Sequence, residues 1–144
     1  MIFFAVSALQ TMSNKHWVKL SDIPFTITSR PIAINDYEIV FPPQSSNQHE
    51  KPYTFDKYDT INDKWSKWIS FPNEVDKIFG ATAAINQDKT LIYVHLSEGY
   101  LIQYNLKNLS SVKVEKDPSI KSIGHSAVAT FVDNTFHIIG GLST

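Results

Sequence analysis

Gly124-His125-Ser126-Ala127-Val128-Ala129-Thr130-Phe131-Val132-Asp133-Asn134-Thr135-Phe136-His137-Ile138-Ile139-Gly140-Gly141 is the stretch from which the rest of the chain can be read. Two apolar runs rich in β-branched and aromatic residues flank Asp133-Asn134. That dipeptide tolerates the positive φ of a tight two-residue turn, so strand and turn signals agree on a β-hairpin. The closing glycine pair suits a place where φ turns positive, or where neighbouring backbone comes too close for a side chain.

Weaker copies stand upstream. Gly80-Ala81-Thr82-Ala83-Ala84-Ile85, a turn over Asn86 to Lys89, and Thr90-Leu91-Ile92-Tyr93-Val94 repeat the hairpin, with His95-Leu96 where the glycine pair stood. Arg30-Pro31-Ile32-Ala33-Ile34 and Tyr37-Glu38-Ile39-Val40-Phe41, split by Asn35-Asp36, repeat it again with Pro42-Pro43 in that place. Asp88, Thr90 and Val94 lie 45 residues before Asp133, Thr135 and Ile139. Trp17 to Trp65 is 48 residues, Pro24 to Pro72 is 48, and Pro72 to Pro118 is 46. A period in the high forties belongs to propeller blades rather than to shorter solenoid repeats.

Between the hairpins the alternation continues. Pro52 to Asp59 places Tyr53, Phe55 and the Lys57 stem on one face and Thr54, Asp56 and Tyr58 on the other. Trp65 to Pro72 follows as a closing strand, then Tyr100 to Asn105 and Ser111 to Glu115 hold the corresponding places one period later, without the tryptophan. His16 to Pro24 reads as the last strand of a preceding unit, and Gln44 to Lys51 as a polar loop.

The order His-x-Ala, apolar strand, polar turn, aromatic-apolar strand and Gly-Gly, carried by His125, Ala127, Phe136, Ile138, Ile139, Gly140 and Gly141, resembles the first half of a kelch repeat. The second half, a Tyr-Asp pair, a polar turn and a tryptophan, is matched by Tyr58-Asp59 and Trp65. The resemblance implies an all-β fold, a partial β-propeller of kelch-type four-stranded antiparallel blades. Residues 1–144 then form one propeller fragment, with repeats at roughly 25–72, 73–118 and 119–144, the last incomplete, and residues 1–24 ending a preceding blade. About eleven strands are expected, or about two and three-quarter blades, against the roughly four to eight of closed propellers. An open arc leaves apolar end faces uncovered, so either a longer chain or assembly through open blade edges is expected. Loss of the glycine pair in two copies also admits a degenerate repeat with no binding role.

Composition excludes several functions. A net charge of −1 with 12 lysines spread along the chain and one arginine, Arg30, offers no basic patch, so no nucleic acid is expected as partner. Without cysteine there are no disulfides, thiolate metal sites or cysteine nucleophiles, and a cytoplasmic location is the expectation, with secretion the alternative. Asn108-Leu109-Ser110 is a glycosylation acceptor only in that alternative. The apolar opening Met1 to Val6 lacks a basic flank and is broken by Ser7 and Gln10, too short for a bilayer span, and Met12 offers a second start.

Catalytic patterns are weak. Gly124-His125-Ser126-Ala127-Val128 is one residue short of a nucleophile elbow, and a strand rather than a helix follows it. His16, His49, His95, His125 and His137 show no metal-ligand spacing, and His137, inside an apolar strand, reads as packed or hydrogen-bonded. Asp56, Asp59 and Asp63 surround a turn, where aspartate bonds nearby amides. Trp17, Trp65, Trp68, Tyr53 and Phe55, without basic companions, read as packing between blades. No catalytic residue, metal or cofactor is expected. By resemblance the chain binds a protein partner through loops at one mouth of the ring, where the starts of the inner strands, Arg30, Gly80 and His125, point. Arg30 and His125 are the expected partner contacts. The alternative is part of an enzyme or glycan-binding propeller whose site lies in other blades.

Overall fold

The structure is a computed structural model and describes residues 10–13, 16–27, 29–43, 52–75, 78, 80–116 and 127–140. Among the described residues there is no helix and there are twelve strands. β1 (Gln10–Ser13) and β2 (His16–Lys19) form a two-stranded sheet. β3 (Ile32–Ala33), β4 (Glu38–Phe41), β5 (Thr54–Asp59) and β6 (Lys64–Ser70) form a four-stranded sheet in that order. β7 (Ala81–Ile85), β8 (Leu91–Leu96), β9 (Tyr100–Asn105) and β10 (Ser110–Lys116) form a second one, and β11 (Val128–Val132) and β12 (Thr135–Ile139) a final pair. Every pairing is antiparallel. Twelve strands replace the eleven expected, because residues 10–19 contribute two strands and not one.

The repeat holds residue by residue in the pairing. Ala83↔Val94, Ala84↔Tyr93 and Ile85↔Ile92 recur 45 residues later as Val128↔Ile139, Ala129↔Ile138 and Thr130↔His137. β5 and β6, moved by 46 residues, land on the bounds of β9 and β10. Turn conformations follow the same offsets. Asp63 and Leu109 both have positive φ (51° and 55°), as do Lys89 and Asn134 (56° and 60°). With Asp133 also at 47°, the last hairpin turns through two left-handed residues, the type I′ geometry that suits strand twist.

The first hairpin turns through residues 34–37, a longer connection than the Asn35-Asp36 pair its sequence suggests. Asn35 Oδ1 accepts from the backbone N–H of Tyr37 (3.0 Å) and of Glu38 (2.7 Å), which draws Tyr37 into the turn and starts β4 one residue late. Asn86 Oδ1 does the same work for Thr90 (2.9 Å) and Leu91 (2.8 Å). Side-chain oxygens that replace a backbone acceptor are the reason asparagine suits such turns. Gly140 has φ of 77° and open space where a side chain would stand, so its role is conformational and not close approach.

The core lies between the two four-stranded sheets. Val40, Phe55 and Ile69 of the first meet Ile92, Val94, Ile102 and Tyr104 of the second, with Phe71, Val75 and Ile78 from the connecting segment filling the seam. Phe55 stacks on Phe71 (5.1 Å) and meets Tyr104 edge-on (5.7 Å). Burying each such ring stabilises by about 1.5–3 kcal/mol. The opposite face of the first sheet, Phe41, Tyr58 and Trp65, is covered by Leu20, Ile23 and Phe25 from the segment after β2. This matches the packing expected of Trp65, Trp68, Tyr53 and Phe55. Trp17's side chain lies outside the described residues.

The last hairpin departs from the repeat in how it packs. In β8 the face bearing Ile92 and Val94 turns to the preceding sheet. One period on, that face carries His137 and Ile139, and both are exposed. The other face packs instead: Phe131 and Phe136 meet Tyr93 at 5.0 and 5.6 Å, with β11 lying against β7. His137 is therefore a solvent-facing residue, contrary to the packed or hydrogen-bonded role its apolar strand suggests.

Candidate functional site

An up-and-down sheet of four strands has two ends. The start of its first strand and the second-to-third connection share one end, while the first-to-second and third-to-fourth turns share the other. Arg30, exposed and two residues before β3, belongs to the first end, as does Gly80 immediately before β7. β3 and β7 approach one another. His125, the second expected partner contact, lies outside the described residues, as do the polar loop at 44–51 and Ser126 of the elbow-like sequence.

The turn end carries an open cleft of about 470 Å³ between the tips of the second and last hairpins, lined by Ile85, Gln87, Thr130, Phe131, Val132, Asp133 and Asn134. Its wall is apolar at Ile85, Phe131 and Val132, and its rim carries an amide pair and one carboxylate. No two titratable groups face each other there, so its chemistry is that of contact and hydrogen bonding. Sequence reading did not find it, because the cleft depends on how the last hairpin leans on β7. The one available signal was the Phe131-Phe136 pair, where the earlier copy has Asn86 and Leu91.

The three aspartates around the β5–β6 turn do not converge on a shared site. Asp56 pairs with Lys67 at 2.7 Å. Asp59 accepts from the backbone of Ile61 (2.9 Å) and Asn62 (3.0 Å) and from the Asn62 amide (2.7 Å), and the Asn62 bonds chiefly hold its carboxyl below the usual range. Asp63 accepts from Ser21 N–H (2.8 Å), from the Ser21 hydroxyl and from the Tyr58 hydroxyl, and Ser21 first and Tyr58 second lower its pKa. This node ties the segment after β2 to the β5–β6 turn. Burial chiefly, with Asp63 second, raises the Tyr58 hydroxyl to about 12.

The second sheet keeps Tyr104 at the place of Tyr58 but has Leu109 at the place of Asp63. The Tyr104 hydroxyl is buried without a hydrogen-bond partner, and burial pushes its pKa up. His95, which replaces the first glycine of the terminal pair, is buried opposite Thr82. Its Nε2 has no partner, and desolvation lowers its pKa. Among the described residues no group of three or more His, Asp or Glu could hold a metal ion. No described helix is long and apolar enough to cross a membrane.

No protein-family model matches the sequence, and no curated protein matches it.

Proposed function

We propose that the chain is a segment of a kelch-type β-propeller and serves as a protein-interaction module that grips its partner through blade-connecting loops. One observation carries the reading. Two four-stranded meanders, flanked by a two-stranded pair on each side, recur at spacings of 45 to 48 residues, and the first strands of successive sheets lie near one another. Blades of a propeller have that order and that neighbourhood of inner strands. The loops at both ends vary between copies while the strands keep their pairing, which is how a rigid scaffold presents a recognition surface.

Arg30 is the anchor of the proposed contact at the strand-start end, and His125 is the second residue of that contact. A lone exposed arginine before an inner strand can fork onto a carboxylate of a partner. The experiment is affinity capture from cytosol followed by reconstitution with the purified partner. Arg30→Ala with His125→Ala is expected to weaken the reconstituted complex about tenfold or more, the scale of a hot-spot loss. Unchanged affinity removes both residues from the contact. Absence of any saturable protein partner, together with turnover or retention of a sugar, would overturn the module reading in favour of an enzyme or glycan-binding propeller.

A further inference from the structure

We propose that the cleft between the tips of the second and last hairpins binds an arginine side chain carried on an extended segment of a protein partner. This contact lies at the turn end, away from Arg30, and does not depend on the propeller reading. Ile85, Phe131 and Val132 give an apolar wall to a space of about 470 Å³, within the size range of ligand pockets. Asp133 is the one charged group lining it among the described residues, and Gln87, Thr130 and Asn134 add two amides and a hydroxyl. Among the described residues none of these four side chains makes a hydrogen bond or an ion pair.

The free carboxylate stands out against its counterparts at other turns. Asp56 pairs with Lys67, Asp59 holds the Asn62 amide, Asp63 holds Ser21, and Asp88 accepts from the Thr90 hydroxyl at 2.6 Å. Asp133 has no such neighbour and stands beside an apolar wall. That wall belongs to the last hairpin only. Where this hairpin has Phe131 the second has Asn86, whose side chain bonds Thr90 and Leu91 within its own turn. The turn also fixes the carboxylate's place, since Asp133 and Asn134 both hold positive φ (47° and 60°) in a two-residue connection.

Charge and surface together select the occupant. A carboxylate beside an apolar wall calls for a cation on an aliphatic stem, whose methylenes lie on the wall while the head stays at the rim. Arginine meets this better than lysine. Its planar fork takes both oxygens of a carboxylate, its remaining N–H groups suit amide oxygens such as those of Gln87 and Asn134, and it is more weakly hydrated than an ammonium. A neutral sugar would satisfy the amides and leave the Asp133 charge unanswered.

The probe is the blocked peptide acetyl-Gly-Arg-Gly-amide, titrated into the isotope-labelled full chain while the side-chain amide signals of Gln87 and Asn134 are followed. Saturable shifts are expected there and at the Asp133 backbone amide. Asp133→Asn keeps a residue that tolerates the left-handed turn and should weaken binding about fivefold, the upper range for a solvent-facing ion pair. Added salt should weaken binding to the wild-type chain and leave the variant unmoved. Replacing arginine in the peptide by citrulline, its uncharged isostere, should lose the same factor without altering the protein. Absence of a saturable shift, equal binding of the citrulline peptide, unchanged affinity in Asp133→Asn, or saturation by methyl glucoside in place of the arginine peptide would each overturn the proposal. Arg30→Ala with His125→Ala should leave this titration as it is, so failure of the strand-start contact and failure of this site are read separately.

Discussion

Substituting phenylalanine for Tyr58 and for Tyr104 should move stability in opposite directions, although the two residues sit at the same place in successive sheets. Both side chains are fully buried. Tyr58 donates to the Asp63 carboxylate, and Tyr104 donates to nothing, because Leu109 stands where Asp63 would. A hydrogen bond to a charged group contributes about 1.5–3 kcal/mol, and exposure of Asp63, which water can resolvate, brings the Tyr58→Phe loss down to about 1 kcal/mol. Removing a buried hydroxyl that lacks a partner relieves a desolvation cost of about 1–3 kcal/mol, so Tyr104→Phe should gain about 1 kcal/mol. Urea titrations with a common m-value would read these as midpoint shifts of opposite sign. Leu109→Asp completes the cycle. Leucine there is held at a φ of 55°, which aspartate tolerates better, and the new carboxylate would stand where Asp63 stands for Tyr58. Leu109→Asp alone should stabilise by about 1 kcal/mol, and in its presence Tyr104→Phe should turn from a gain to a loss. If Tyr104→Phe destabilises as much as Tyr58→Phe, and Leu109→Asp leaves that unchanged, the buried hydroxyl has a partner and the reasoning is refuted.

Three further outcomes follow from the same geometry. His95 has a folded pKa below its unfolded value of about 6.5, so its contribution is complete above that pH and is lost as pH falls through the lowered value. Stability measured from pH 7 to 5 should decline, and His95→Leu should flatten the decline. Tyr58, raised to about 12, contributes stability that is complete below about pH 10 and is lost as pH rises through about 12, with Tyr104 acting in the same sense. Alkaline unfolding followed at the tyrosinate absorbance should thus begin above pH 10 and be cooperative with loss of strand signal. Asn134→Gly, at a φ of 60°, should stabilise the last hairpin by about 0.5–1 kcal/mol, and Asn134→Val should destabilise by about 1–2 kcal/mol, both read as thermal midpoints.

Much of the strand order could be read from the sequence, for a local reason. A hairpin is specified by its own turn and the alternation on either side, so Asp133-Asn134 and the runs beside it predict β11 and β12 without reference to anything distant. Tyr100 to Asn105 was likewise recoverable to the residue. The expected Arg30–Ile34 strand shrinks to Ile32–Ala33, because Pro31 lacks an N–H and Asn35 captures the amides beyond it. The site was less accessible. Arg30 could be placed at a strand start by counting, yet the cleft at the other end is made by residues 45 apart in sequence, and no local signal encodes that approach.

The last hairpin shows where a repeat stops being predictive. Equal spacing fixes which residue faces which across a hairpin, since backbone hydrogen bonding depends only on position along the strand. It does not fix which face is buried, since that depends on side-chain bulk. In β7 and β8 the weight lies with Ile85, Ile92 and Val94, and that face turns to the core. In β11 and β12 the two bulkiest groups, Phe131 and Phe136, sit on the other face, and Tyr93 offers them a ring to pack against. Burying both phenylalanines outweighs burying His137 and Thr130, whose polar groups would need partners the preceding sheet does not offer. Exchanging that balance, with Phe131→Asn and His137→Ile together, should turn the hairpin over. Protection of Ile139 from solvent, paired with exposure of Tyr93, is the signature, and an unchanged Tyr93 environment would show that something other than aromatic weight sets the face.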